Sequence, residues 1–211
     1  MSERSFIIGA GVMGEKDKKA VIMQAALELI VERGFHGAPV SDIVGRAGVA
    51  AGTIYQYFEN KDVLIRALRD ELAENIRQAI LEGYPSEKPI RTRFLFFVEN
   101  LLSYFAKNPL HFRYMEQYFN SPYGISLRRD KAMEKRDSGD IVHELLSEGI
   151  SKRFMKNLPE VVLFSLALGP MLVIIRDHVL GFITLDDMLI RRITAACWDA
   201  VKETQPAAEV P

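Results

Sequence analysis

Between Lys16 and Arg33 the apolar residues Val21, Ile22, Ala25, Ala26, Leu29 and Ile30 recur three and four positions apart, the spacing of one face of an α-helix. Gly34 ends the pattern. Two short pieces follow, Val40 to Ala47 and Ala51 to Phe58, separated at Gly48-Val49. Helices of about two turns do not persist alone, so both must dock on the first. From Lys61 a long helix is predicted, with Leu64, Leu68, Leu72, Ile76 and Ile80 every four residues and an end near Gly83 and Pro85. Further helices are expected at roughly 88–107, 110–120, 138–156, 159–180 and 185–203, punctuated by Pro109, Pro122, Gly124, Gly139, Pro159 and Gly181. No segment alternates with period two, so the fold class is all-α, without a detectable repeat.

Composition narrows the function classes. Apolar residues make up 48% of the 211 and charged residues 26%, the balance of a packed globular chain. The single cysteine, Cys197, cannot close an intrachain disulfide, and no Cys/His spacing suits zinc, so a reducing cytoplasm is expected. No basic segment followed by an apolar core opens the chain as a signal peptide would. The longest apolar run, Val161 to Ile175, contains Ser165 and Pro170 and stops at Arg176-Asp177. It reads as a buried helix, too short and too interrupted to span a bilayer. Net charge is −1, yet residues 16–69 hold eight Lys/Arg against six Asp/Glu, a mild positive excess of two.

The segment VSDIVGRAGVAAGTIYQYF, residues 40–58, carries the most chemistry. Ala47, Gly48 and Val49 supply a small residue, a left-handed turn and an apolar anchor, the requirements of a helix-turn-helix. Ile43, Val49, Ile54 and Tyr57 have the spacing of its inward face, and Phe58 belongs to the core. The second short helix would then lie in a major groove. Gln56 suits adenine, the Thr53 methyl suits thymine, and the hydroxyls of Tyr55 and Tyr57 suit phosphate. Lys61 is positioned to neutralise a phosphate.

AALELIVERGF followed by DIVGRAGVAAGTIYQYFENKDVLI resembles the N-terminal domain of the TetR, or tetracycline-repressor-like, family over about residues 18–68. The run from Tyr55 to Lys61 is its most specific part. The resemblance implies an all-helical homodimer whose first three helices contact double-stranded DNA at a palindromic operator, with a helical C-terminal domain that binds a small molecule and dimerises. It places Ser41, Ala51, Gly52, Thr53, Tyr55, Tyr57 and Lys61 at the DNA, beside Gln56. The implied division is a flexible extension at 1–15, the helix-turn-helix domain at 16–62, the sensing and dimerising domain at 63–204, and a disordered tail at 205–211. Departures are Ala50 and Ala38-Pro39 where hydroxyl residues are usual, and Val44 where a small residue is common. The run Val161–Ile175, together with Leu189, Ile193, Ala196, Cys197 and Ala200, would build an intersubunit four-helix bundle.

Residues 91–119 hold more aromatic side chains than one core face needs, so some are expected to line a cavity. Phe97, Asn100, Tyr104, Phe112, Met115, Phe119 and His143 are the candidates, a set suited to an apolar or aromatic ligand. The function expected is a repressor released from DNA by such a ligand, acting in the cytoplasm, without catalysis, cofactor, metal or membrane. Two other readings stay open. FIIGAGVMG, residues 6–14, has the glycine spacing of a nicotinamide- or flavin-binding loop from Gly9 to Gly14, though no second strand or acidic partner follows it. A helical interaction protein that keeps the fold without binding DNA is the other.

Overall fold

The computed structural model describes residues 15–133 and 141–204, with side chains from 18 to 129 and from 141 to 204. The N-terminal extension up to residue 14, with its glycine loop, and the tail from residue 205 lie outside the described residues. By packing, the chain divides into two compact units, one reaching Leu68 and one starting at Arg69.

The first unit contains α1 (Glu15–Arg33), α2 (Val40–Ala47), a 3-10 helix (Ala51–Gln56) and the opening two turns of α3 (Lys61–Leu81). Helix α1 buries Ile22, Ala25, Ala26, Leu29 and Ile30, and α2 contributes Ile43, Val44 and Ala47. The third element is tighter than the expected α-helix. Thr53 N–H donates to Ala50 O at 2.9 Å and Tyr57 N–H to Ile54 O at 3.1 Å, the i to i+3 pattern of a short connector. Six residues are too few for an α-helix to develop between Gly48 and the start of α3, and no side chain caps it. Two surface ion pairs join α1 to α2. Arg46 grips both Glu32 oxygens, at 2.7 and 2.8 Å, and Arg33 meets Asp42 at 2.9 Å. The Arg46 bonds hold the Glu32 carboxyl below its ordinary range.

The second unit comprises the rest of α3 and α4 (Ile90–Lys107), α5 (Pro109–Phe119), α6 (Pro122–Met133), α7 (Ile141–Ser151), α8 (Glu160–Val179) and α9 (Asp187–Val201). Helix α4 is central: Phe94, Phe97, Val98, Leu101, Leu102 and Phe105 are buried along it, packed with residues of α7, α8 and α9. No strand occurs among the described residues, in keeping with the all-α class; an isolated bridge pairs Met155 with Lys202.

Three elements differ from the sequence expectation. Helix α6 was expected as a turn at Asn120 to Gly124. Pro122 instead opens a helix, where its missing N–H costs nothing, and Gly124 lets α6 close on the end of α5, where a β-carbon would stand 2.5 Å from Phe119 Cα. Helix α7 stops at Ser151 and not near 156, because Arg153 adopts φ 58° and the chain then pairs with the C-terminus through Lys156 N–H to Val201 O at 2.9 Å. Helix α8 runs unbroken through Pro170 for 20 residues. Its buried residues are Leu163, Ala167, Leu168, Met171 and Ile175, while Val161, Val162, Leu166, Leu172 and Val173 face outward. The expectation of a buried, interrupted helix too short for a bilayer is therefore corrected: by length and composition alone α8 could cross a membrane.

Candidate functional site

The turn between the two short elements is fixed by backbone chemistry. Gly48 sits at φ 65° and ψ 28°, its N–H donates to Gly45 O at 3.3 Å, and Val49 N–H donates to Val44 O at 3.2 Å. This paired closure of a helix end requires the left-handed conformation that glycine adopts without strain. Inward from the turn, Ile43, Ile54 and Phe58 are buried, and Val49 and Tyr57 are half-buried. Outward, Ser41, Ala51, Gly52, Tyr55 and Gln56 are exposed and Thr53 is half-buried. Tyr55, at 60% exposure, is the most open large side chain in the unit. The structure thus groups seven of the eight expected contact residues on or beside one element. The eighth, Lys61, is half-buried, and its ammonium donates to the backbone carbonyl of Phe35. Burial draws its pKa down, with Asp62 partly opposing.

In the second unit, α4, α7 and α8 enclose an apolar recess lined by Phe94, Phe97, Val142, Leu145, Leu146, Phe164, Ala167 and Leu168. Its free interior is about 10 Å³, room for one water-sized molecule. Among the seven expected pocket residues only Phe97 lines it. His143 stands on α7 with Nδ1 2.9 Å from Glu160 Oε2. Asn100 turns its amide back onto Phe96 O at 2.9 Å. Tyr104 and Phe112 belong to an aromatic group at the α4–α5 corner, where Phe105 meets Tyr104 at 5.6 Å and Phe112 at 5.5 Å. Met115 is buried on α5, and Phe119 lies under Arg128 at 6.0 Å. The counted aromatic excess pointed to α5, whereas the recess takes its lining from α7 and α8. Plain apolar residues such as Leu145 and Ala167 carry no signal in sequence that sets them apart from core.

The Tyr104 hydroxyl lies 2.8 Å from His111 Nδ1. Burial pushes the Tyr104 phenol up and the His111 imidazole down, so a neutral ring accepts the phenolic proton in this hydrogen bond. Among the described residues, no group of three or more His, Cys, Asp or Glu comes close enough to hold a metal.

The family model described as "Tetracyclin repressor-like, C-terminal domain" matches residues 89–202, and that of "Bacterial regulatory proteins, tetR family" matches residues 22–68. The chain belongs to the TetR family. A TetR-family protein from Vibrio parahaemolyticus, described as a putative transcriptional regulator, is 30% identical, with a TM-score of 0.70 over 89% of this chain and 100% of that one. A second, from Shewanella sp. PV-4, is 26% identical with a TM-score of 0.76 over 89% and 99%. The "Fatty acid metabolism regulator protein" of Bacillus subtilis (strain 168) is 43% identical over 65 residues, 30% of this chain and 34% of its own length. The chain spans about a third of the length of the curated relatives it matches. As a TetR-family regulator it carries a helix-turn-helix DNA-binding domain and a helical C-terminal domain, in a family of transcription regulators that bind DNA and respond to small molecules.

The two departures in capping have visible structural counterparts in this TetR-family chain. Pro39 stands before α2 and Ala50 before the 3-10 helix, and neither offers an oxygen to the free N–H groups of the element that follows. By contrast Asn60, at the head of α3, accepts the Val63 N–H on its side chain at 3.0 Å.

Proposed function

We propose that this chain is a transcriptional repressor that binds a palindromic operator as a homodimer and is released by a small apolar or aromatic effector. Residues 16–62 carry DNA binding; residues 63–204 carry sensing and dimerisation. The supporting observation is the outward row Ser41, Ala51, Gly52, Tyr55 and Gln56, with Thr53 and Tyr57 at its margin, on an element whose opposite side is anchored by Ile54. Set in a major groove, Gln56 can bond a base edge and the hydroxyls can hold phosphate.

Dimerisation through α8 and α9 is favoured by the apolar strip Val161, Val162, Leu166, Leu172 and Val173, left open on a single protomer. On α9, Ala196 is exposed beside this requirement, whereas Cys197 is buried in the protomer's own core and Leu189 and Ile193 pack against that core. The recess between α4, α7 and α8 is the effector site, and its wholly apolar lining favours a hydrocarbon or aromatic group. Expression of the regulator and its operator together places the protein in the bacterial cytoplasm.

A gel-shift titration on the DNA upstream of its own gene tests the proposal. The expected result is one retarded species that an apolar effector abolishes. Absence of any retarded species at low salt would remove the DNA-binding reading, and an effector that tightens the complex would remove repression by release.

A further inference from the structure

Few cations in the first unit are free to meet phosphate. Arg46 is held by Glu32 and Arg33 by Asp42, and the Lys19 ammonium stands 6.0 Å over the Phe58 ring. Lys61 is the cation that family resemblance assigns to DNA, and its ammonium is turned instead onto the Phe35 carbonyl. The two residues are 26 positions apart, and every side chain in the outward row lies between them.

The geometry at both ends explains the bond. Gly34, at φ 74°, takes the chain out of α1, and Phe35 follows in a turn with no helix beyond to supply an N–H in sequence. Lys61 is the first residue of α3, whose start is fixed by Asn60. Its half-buried stem brings the ammonium to the carbonyl at the loss of hydration. Between these points, α2 and the 3-10 helix start without side-chain caps, so the segment lacks the local restraints that would hold it in shape. A bond across its base limits the freedom of the whole excursion.

We propose that Lys61 is a positioning residue that closes the base of the helix-turn-helix through the Phe35 carbonyl, and that it is not a phosphate contact. This rests on the DNA-binding reading for its functional consequence. The structural part stands without it.

The test uses the full-length protein, Lys61→Met, which keeps the stem and loses the donors, and Lys61→Gln, which keeps a neutral donor. The probe is a duplex selected from a random pool by the wild-type protein. Affinity is measured across a salt series, and amide exchange is followed in the protein without DNA. Lys61→Met is expected to bind about five-fold more weakly at every salt concentration, the loss of about one hydrogen bond, with an unchanged slope of log affinity against log salt. Amides of residues 40–58 should exchange faster while those of α4 and α9 do not, and Lys61→Gln should recover part of both effects. A slope shallower by about 0.9, with exchange unchanged, would mark Lys61 as a phosphate contact and overturn the proposal. Wild-type behaviour of Lys61→Met in both measurements would overturn it as well. If Lys61→Met does not fold, Lys61→Gln decides: a shallower slope counts against the clasp and a wild-type slope for it. If the wild-type protein selects no duplex, the DNA-binding reading fails, and the exchange comparison still decides the clasp.

Discussion

Met155 lies directly against Gly149: a β-carbon on Gly149 would stand 2.6 Å from Met155 Sδ and 2.7 Å from its Cγ. Met155 is fully buried, and its backbone is held between the left-handed Arg153 and the bridge to Lys202, so it cannot easily retreat. Gly149→Ala is therefore expected to destabilise the second unit by roughly 1–3 kcal/mol, the usual cost of overpacking. In the double variant with Met155→Ala the loss should be smaller than the sum of the two single losses, because the smaller side chain frees the space. Urea unfolding of the four proteins checks this, and strict additivity would show that the contact carries no strain.

Gly48 offers a contrasting case. Its surroundings are open, with nothing within 4 Å of an added β-carbon, so only its positive φ demands glycine. Gly48→Ala should cost about 1–2 kcal/mol, and Gly48→Asn less, since asparagine tolerates the left-handed region better. Thermal unfolding of both variants measures the difference. Equal losses would mean that the backbone dihedral is not the source.

His111 makes stability depend on pH. Its folded pKa is lowered by burial, with Glu71 partly opposing, so between the folded and unfolded values the unfolded chain binds the extra proton. The contribution is complete above the unfolded value of about 6.5 and is lost as pH falls below it. Wild-type protein should lose more stability between pH 7.5 and 5.5 than His111→Gln does, measured by urea unfolding at the two pH values. A larger loss in the variant would contradict the direction.

The outward strip of α8 gives a test of assembly. Leu166 and Val173 are seven residues apart, two turns along the same helix face, and both are exposed. Leu166→Glu or Val173→Glu should yield a folded monomer in sedimentation velocity, with unchanged helix content by circular dichroism and DNA affinity reduced at least about ten-fold, since one half-site contact remains. A dimer that survives both charges would move the interface elsewhere.

Much of the fold was legible because it depends on regularities a sequence carries openly. The four-residue recurrence from Leu64 to Ile80 marks α3, and the glycine at 48 marks a backbone angle that few other residues accept. What escaped depends on context. Pro122 and Gly124 have the chemistry of a turn, yet one sits where a helix begins and the other where two helices touch, and neither placement is written locally. The apolar residues of α8 do not declare which of them a protomer covers itself. Site residues divide in the same way. The outward position of Tyr55 and Gln56 follows from the period of their own segment, whereas the partner of Lys61 is a carbonyl 26 residues earlier. Tyr104, Phe112 and Met115 were singled out for being aromatic or soft on a crowded stretch, and that crowding is satisfied by packing at the α4–α5 corner.

The small interior between α4, α7 and α8 has a bearing on how such a regulator sets its sensitivity. A guest of several carbon atoms must part Phe94, Leu145 and Leu168 before it can enter, so only the fraction of molecules already ajar is receptive. The half-response concentration then exceeds the intrinsic dissociation constant by the inverse of that fraction. Tight side-chain packing would in this way act as a threshold, keeping the gene silent against trace hydrophobes and admitting a signal only when it accumulates.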